Sequence, residues 1–161
     1  MKMNAEGKDH FERLGRLVAN MQSFELALRI FHHNDELANG LPPPSKVYSE
    51  LKAGDIVKKD AFTNWDTLQR LTTKYNKDKR VISSDLIIDE DLVNIRDAIA
   101  HGRIASTDPS ITSKTLLKFK RPIGDTVEVE YSTVMSREWL NEQMDRFHYA
   151  IRKVIKSIGE E

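Results

Sequence analysis

Residues 14–31 read LGRLVANMQSFELALRIF and decide the class of fold that the chain can adopt. Apolar side chains recur there every three or four positions, at Leu14, Leu17, Met21, Phe24, Leu28 and Phe31. This spacing places them along one face of an α-helix. The pattern runs from about Asn4 to Leu37, and Asn39-Gly40, closely followed by three prolines, ends it. A first helix of this length predicts a mainly α-helical fold.

A second helix is predicted over residues 60–76. Asp60 stands at its start, where a carboxylate can accept hydrogen bonds from free backbone N–H groups. Phe62 and Trp65 follow at helical spacing, so we expect both side chains to point inward. The preceding residues, 45–59, allow one or two helical turns.

Two more helices follow the same periodicity. The third begins near Ser83, Ser84 or Asp89 and ends at Gly102. Its predicted buried row is Ile88, Leu92, Ile95 and Ile99. The last helix opens at Ser136 and carries its apolar stripe to near the C-terminus.

Between residues 103 and 135 the helical period gives way to alternation. Segments 115–120 and 126–135 alternate apolar and polar residues around a turn at 121–125, which predicts a β-hairpin. Residues 103–106 allow a short third strand. The sequence therefore predicts one domain over residues 1–161. We expect a bundle of about four helices, with a small antiparallel β insertion at about 103–135 before the C-terminal helix.

Composition limits the possible partners. The 161 residues suit a single domain. Lysine plus arginine equals aspartate plus glutamate, 25 each, so the net charge is zero. Proteins that bind long nucleic acids through phosphate contacts usually have a net positive charge. Any contact with nucleic acid must therefore be local or assembled across subunits, and a neutral chain has little charge repulsion against self-association.

The absence of cysteine excludes disulfides, thiolate catalysis and zinc–cysteine sites. Residues 1–10 lack the apolar core of a signal peptide, and no apolar run reaches the roughly 20 residues that span a bilayer. We therefore expect a cytoplasmic protein without a membrane partner. His32 and His33 point about 100° apart on a helix and have no supporting ligand motif, so no metal site and no cofactor are expected.

Residues 94–104, NIRDAIAHGRI, carry the strongest chemical signal. Arg96 has a fixed charge and forked donors that suit a phosphate. His101 can move a proton near neutral pH. Together they could cleave a phosphodiester without a metal. A purely structural interpretation stands beside this one, because a helix dipole favours a histidine in the last turn and Arg96 can pair with a carboxylate.

The segment from Arg96 to His101 resembles the R-x-x-x-x-H hallmark of the HEPN superfamily, in which Asn, Asp or His often follows the arginine. The resemblance is specific around this motif and only architectural elsewhere. It implies a HEPN-like helical bundle with metal-independent endoribonuclease activity, often as a toxin or phage-defence effector. It also implies a homodimer in which two motifs share one cleft, and a possible antitoxin or regulatory protein. The alternative is a non-catalytic HEPN-like module that binds RNA, a nucleotide or a protein partner.

The resemblance assigns roles within the motif. An RNA 2′-hydroxyl would attack its own 3′-phosphate, with His101 as general base or acid and Arg96 stabilising the phosphate charge. Asp97 would orient one of them or bond the helix end, and Gly102 would support the turn. Residues five positions apart differ by about 140° around a helix, so Arg96 and His101 do not share a face. They converge where the helix ends, or a second subunit supplies one of them.

Two features outside the motif have open interpretations. Glu25 occupies an apolar row of the first helix, where it either faces Arg96 or His101 across a cleft or is solvated at the edge of the row. A basic segment follows the second helix and either binds RNA or forms a solvated connector. Its basic residues are Lys74, Lys77, Lys79 and Arg80.

Overall fold

A computed structural model describes residues 5–43, 47–106 and 114–159 of the chain. Its helices are α1 (Ala5–Ala38), α2 (Leu68–Asn76), α3 (Lys79–Ser83), α4 (Asp91–His101) and α5 (Arg137–Gly159), with one 3₁₀ turn at Tyr48–Glu50. Its strands are β1 (Arg103–Ala105), β2 (Lys114–Phe119) and β3 (Val129–Met135). The described residues are thus mainly helical with a small antiparallel sheet, which confirms the predicted class at that level.

The chain forms two compact units. The first contains the residues up to Ser23 together with Asp89–Ala150, and the second contains Phe24–Ile88 together with the residues from Ile151 onward. The predicted organisation as one domain stays a prediction.

The first unit is built on the three-stranded sheet, in the order β1-β2-β3. The predicted short strand after Gly102 is present as β1, and it pairs antiparallel with β2. Alternation along the strands turns Leu116 and Met135 to the inner face, where both are fully buried. Helix α4 packs against β2. The sheet therefore anchors the end of the helix that carries the R-x-x-x-x-H motif.

The second unit has an aromatic and aliphatic core. The ring of Phe31 on α1 meets the ring of Tyr75 on α2 edge to face, with centroids 4.8 Å apart. The Tyr75 hydroxyl donates to the carbonyl of Leu86. The side-chain amide of Asn76 donates to the carbonyl of Ile88 and accepts from the N–H of the same residue, and both hydrogen bonds are 2.8 Å long. These bonds provide partners for backbone N–H and C=O groups in the irregular segment between α3 and α4.

The end of α1 is the one predicted from the sequence. The helix stops at Ala38, and Gly40 adopts a positive φ of 91°. Leu41 then donates its N–H to the carbonyl of Glu36, which caps the last turn. The predicted start at Asn4 lies outside the described residues.

The predicted helix over 60–76 is wrong in its first half, because α2 begins only at Leu68. Asp60 instead accepts hydrogen bonds from the backbone N–H groups of Phe62 and Thr63 within a turn. Trp65 is 97% exposed rather than inward. Within residues 60–66 the backbone makes a single helix-like bond, from the N–H of Asn64 to the carbonyl of Asp60. Three other carbonyls of the segment accept hydrogen bonds from the side chain of Arg29 on α1. In the described part of the predicted segment 45–59, residues 47–59, the helical element is the turn at Tyr48–Glu50, and residues 45–46 lie outside the described residues.

His10 is a buried histidine in the first unit. It is 5% exposed, and its Nε2 atom has no hydrogen-bond partner among the described residues. Burial lowers the pKa of His10 below its ordinary value of 6.5, and the charge of Lys114 lowers it further, against the opposing effect of Asp9. The folded protein therefore favours the neutral form of this imidazole more than the unfolded chain does.

Replacing His10 with leucine is expected to flatten the pH dependence of stability. A lowered pKa means that the unfolded chain binds this proton more readily, so the stabilisation is present above pH 6.5 and is lost as the pH falls below it. Urea unfolding between about pH 7 and pH 5 should show a smaller loss for His10→Leu than for wild type. His148→Leu, at an exposed position of α5, is the control. If the free energy of unfolding falls equally in His10→Leu and His148→Leu between about pH 7 and pH 5, the lowered pKa of His10 is contradicted.

Candidate functional site

The R-x-x-x-x-H motif lies at the C-terminal end of α4 in the first unit. The helix ends at His101, as predicted, and the N–H of Gly102 closes the last turn on the carbonyl of Ala98 at 2.7 Å. Ile95 and Ala98 are buried and hold the helix in place. The side chain of His101 is 67% exposed, so its imidazole is open to solvent at the junction between α4 and β1.

Asp97 lies four residues before His101, on the same face of α4. Its Oδ1 atom is 3.6 Å from Nε2 of His101. Its Oδ2 atom is 2.6 Å from Nζ of Lys118 on β2. The carboxylate of Asp97 thus stands between the exposed imidazole and a lysine of the sheet.

Lys118 is a member of this cluster that the sequence reasoning missed. Its side chain is only 20% exposed, and its Nζ also lies 3.0 Å from Oε2 of Glu130 on β3. The hydrogen bonds with Asp97 and then Glu130 raise the pKa of Lys118, which keeps it charged. Strand alternation was the available signal, because it turns Lys118 to the inner face with Leu116, where a cation requires partners.

Arg96 is half-buried on α4. The helix continues without a break through His101, so the two side chains leave its axis about 140° apart. The helix itself therefore does not bring Arg96 and His101 onto one face. The convergence of the two side chains, at the helix end or through a second subunit, stays a prediction.

Gly102 is required by close packing rather than by its backbone dihedrals. Its φ of −77° is open to any residue. A Cβ atom at this position would collide with the carbonyl oxygen of Ala98 and would stand 2.8 Å from that of Leu117. Both obstacles are backbone atoms, so neither can move as a side chain does. Gly102 therefore lets β2 approach the end of α4 closely.

Replacing Gly102 with alanine is expected to lower the free energy of unfolding by about 1–3 kcal/mol, because the methyl group forces α4 and β2 apart. Chemical denaturation followed by circular dichroism measures the loss. Gly15→Ala is the control, because Gly15 on α1 has open space around it and its replacement tests the effect of a methyl group alone. Gly124 is unsuitable as a control because its φ is positive. Equal stability of Gly102→Ala and wild type would contradict the close approach of β2.

Glu25 belongs to the second unit, where it pairs with Arg29 one turn later on α1. The distance between Oε1 of Glu25 and NH2 of Arg29 is 2.9 Å, and the two side chains are only 25% and 15% exposed. The apolar row therefore contains a partly buried ion pair. The expectation that Glu25 faces Arg96 or His101 stays a prediction.

The predicted RNA-binding residues of the basic segment differ in their surroundings. Lys74 lies 2.8 Å from a carboxylate oxygen of Asp66. Arg80 pairs with Asp35 at 2.6 Å and with Asp78 at 2.9 Å. Lys77 and Lys79 are exposed and form no ion pair within the described part of the chain. Acidic neighbours thus offset part of this positive charge, and the RNA-binding role stays a prediction.

The described ranges leave out residues 1–4, 44–46, 107–113 and 160–161. Within those ranges no three histidine or acidic side chains are grouped so that they could hold a metal ion. No helix there is both long enough and apolar enough to cross a membrane.

The chain matches no described protein family, no curated protein and no solved structure. The features that point to a function are therefore the side chains of Arg96, Asp97, His101 and Lys118.

Proposed function

We propose that this chain is a HEPN-like, metal-independent endoribonuclease. One observation carries the proposal: the exposed His101 imidazole faces the carboxylate of Asp97, which Lys118 holds in place, at the end of a helix that also carries Arg96. A solvent-accessible histidine with an adjacent carboxylate can serve as a general base or acid. An arginine on the same helix supplies the forked positive charge that a phosphate requires.

The proposed reaction is a transesterification within the RNA. His101 acts as general base or acid while the 2′-oxygen loses its proton and attacks the adjacent phosphorus. The bond from phosphorus to the 5′-oxygen breaks, and that oxygen leaves with a proton. Arg96 stabilises the negative charge that builds up on the phosphate. The products are a 2′,3′-cyclic phosphate and a 5′-hydroxyl end.

The proposed enzyme is a homodimer with a shared cleft. The divergence of Arg96 and His101 on α4 supports this arrangement, because a two-fold axis can place Arg96 of one protomer beside His101 of its partner. The zero net charge of the chain agrees with self-association. On the resemblance alone, such an enzyme acts in the cytoplasm as a toxin or phage-defence effector, under the control of an antitoxin or regulatory protein.

The test is cleavage of labelled single-stranded RNA and tRNA in excess EDTA. Wild-type protein should cut both without a metal and leave a 2′,3′-cyclic phosphate. A substrate with one 2′-deoxynucleotide at the mapped cleavage position should resist at that position, because the attacking hydroxyl is missing. Cleavage that stops in EDTA, or that continues at the deoxy position, would refute this mechanism.

One observation favours a second candidate, a non-catalytic module that binds RNA, a nucleotide or a protein partner. The 3.6 Å separation of Asp97 and His101 exceeds the 2.7–3.2 Å of an ordinary hydrogen bond, and the stronger contact of Asp97 is with Lys118. RNA that binds without being cut, with binding that survives His101→Ala and weakens in Arg96→Ala, would favour this candidate over the enzyme.

A further inference from the structure

The outer face of the small sheet carries a cation over an aromatic ring. Leu116 and Met135 mark the buried inner face, so Leu117 and Phe119, which alternate with them along β2, point outward. Arg103 on β1 pairs with Leu117 and shares this outer face. The Cζ atom of its guanidinium lies over the Phe119 ring, 5.4 Å from the centroid.

This pair is open to solvent. Arg103 is exposed on the edge strand, and Phe119 is partly exposed beside it. The outer face also includes Val129 and Val134, which are 49% and 52% exposed. The contact with the ring restricts the motion of the Arg103 side chain, which stays open to solvent. The pair is therefore a positive charge next to an aromatic ring, and both can be reached from solvent.

The chain connects this surface directly to His101. Only Gly102 separates His101 from Arg103, and the carbonyl of Leu117 lies close beside Gly102. A strand of RNA whose phosphate reaches His101 therefore passes within one or two nucleotides of Arg103. His101 borders the inner face of the sheet with Asp97 and Lys118, whereas Arg103 lies on the outer face, so the RNA strand passes around the edge of the sheet at β1.

We propose that Arg103 and Phe119 form a stacking subsite for an unpaired base next to the phosphate that His101 would cleave. The inference rests on the proposed function. The base stacks against the exposed pair of guanidinium and ring, while the N–H groups of the guanidinium remain donors for a phosphate. The ligand class is single-stranded RNA, because a paired base in a duplex cannot be stacked this way.

This subsite accounts for how a neutral chain can bind RNA. Stacking contributes to binding without requiring a broad basic surface, and it tolerates sequence because every base has a flat π-face. Arg121, in the turn after β2, is exposed and has no ion pair in the part of the chain that the structure describes. It supplies a matched surface arginine that lies outside the stack.

The experiment measures base stacking in the His101→Ala background, which removes cleavage from the binding assay. A short single-stranded RNA carries the fluorescent base 2-aminopurine next to the mapped cleavage position, or at successive positions if no cleavage is found. Stacking quenches this base, and anisotropy of an end label gives the affinity. Phe119→Leu keeps apolar volume but removes the ring, and Arg103→Lys keeps the charge but removes the plane.

Both variants should restore the 2-aminopurine fluorescence and weaken binding by roughly tenfold, whereas Arg121→Ala should keep the quenching. Circular dichroism checks that each variant is folded. Unchanged quenching and affinity in Phe119→Leu and Arg103→Lys would overturn the subsite even if the wild type cuts RNA. Quenching that depends on both residues, in a protein that cuts nothing, would uphold the subsite and reject the enzyme. RNA that does not bind at all would overturn the subsite directly.

Discussion

Replacing His101 with alanine is expected to reduce RNA cleavage by roughly 10²- to 10⁴-fold, the usual contribution of a general acid or base. The side chain is two-thirds exposed, so its removal should leave the fold and the thermal unfolding midpoint almost unchanged. His148→Ala is the matched control, because this histidine is also exposed and lies on α5 in the same compact unit. Its cleavage rate should equal that of wild type.

Removing Arg96 is expected to reduce cleavage by roughly 10²- to 10³-fold, because the phosphate loses a charged donor in the transition state. Arg96→Lys should recover only part of this loss, since an ammonium group does not offer the planar fork. Arg152→Ala, at an exposed arginine of α5, controls for the loss of a positive charge. The rate is measured in EDTA on RNA with a mapped cleavage position.

Co-expression of His101→Ala with Arg96→Ala tests the shared cleft. In a mixed dimer, the intact Arg96 of one chain meets the intact His101 of its partner, so one complete site returns. Two inactive variants should therefore regain part of the wild-type activity when they assemble together. Failure of purified mixed dimers to cut would show that each site uses residues of one chain. Full activity of either single variant would remove the motif from the mechanism.

Replacing Arg29 with methionine is expected to lower the free energy of unfolding by about 3–5 kcal/mol, because it removes the charged donor that Arg29 supplies to a partly buried carboxylate and several carbonyls. Its guanidinium donates to Glu25 at 2.9 Å and to the carbonyl of Asp66 at 3.0 Å. It also donates to the carbonyls of Ala61 and Asn64. One side chain of α1 thus fixes the loop before α2.

Arg16→Met is the matched control on the same helix. Arg16 pairs with Glu12 in the same i, i+4 arrangement, but both side chains are more than half exposed. Such a pair contributes about 0.3–0.5 kcal/mol. Urea unfolding gives the free energies, and limited proteolysis within residues 60–67 should accelerate only in Arg29→Met. Equal unfolding midpoints for the two variants would show that Arg29 does not hold the loop.

Local patterns were sufficient for the long helices. The apolar spacing along α1, its end at Asn39-Gly40 and the end of α4 at Gly102 all depend on residues close together in the chain, and all are confirmed. The alternation over the insertion predicted strands for the same reason. The motif from Arg96 to His101 could be recognised in the sequence, but its catalytic role remains a prediction.

Contacts between distant segments decided the rest. Trp65 was predicted to be buried in a helix, yet the bonds from Arg29 to the loop carbonyls keep residues 60–66 irregular and leave Trp65 in solvent. No local pattern encodes a donor that lies more than thirty residues away. Hydrophobic periodicity reports which face of an element is buried, but it does not report which polar partner meets that face.

The sequence by itself determined the mainly helical class and the presence of strands before the last helix, while the phosphate-handling role of Arg96 and His101 stays a prediction. Only the tertiary structure decided that Lys118 holds Asp97 beside His101, because their meeting depends on how β2 packs against α4. Only packing likewise explains Gly102, whose missing Cβ lets the backbone of β2 come close. Helical and strand periods are set by neighbours along the chain, whereas ion pairs and close approaches are set by neighbours in space.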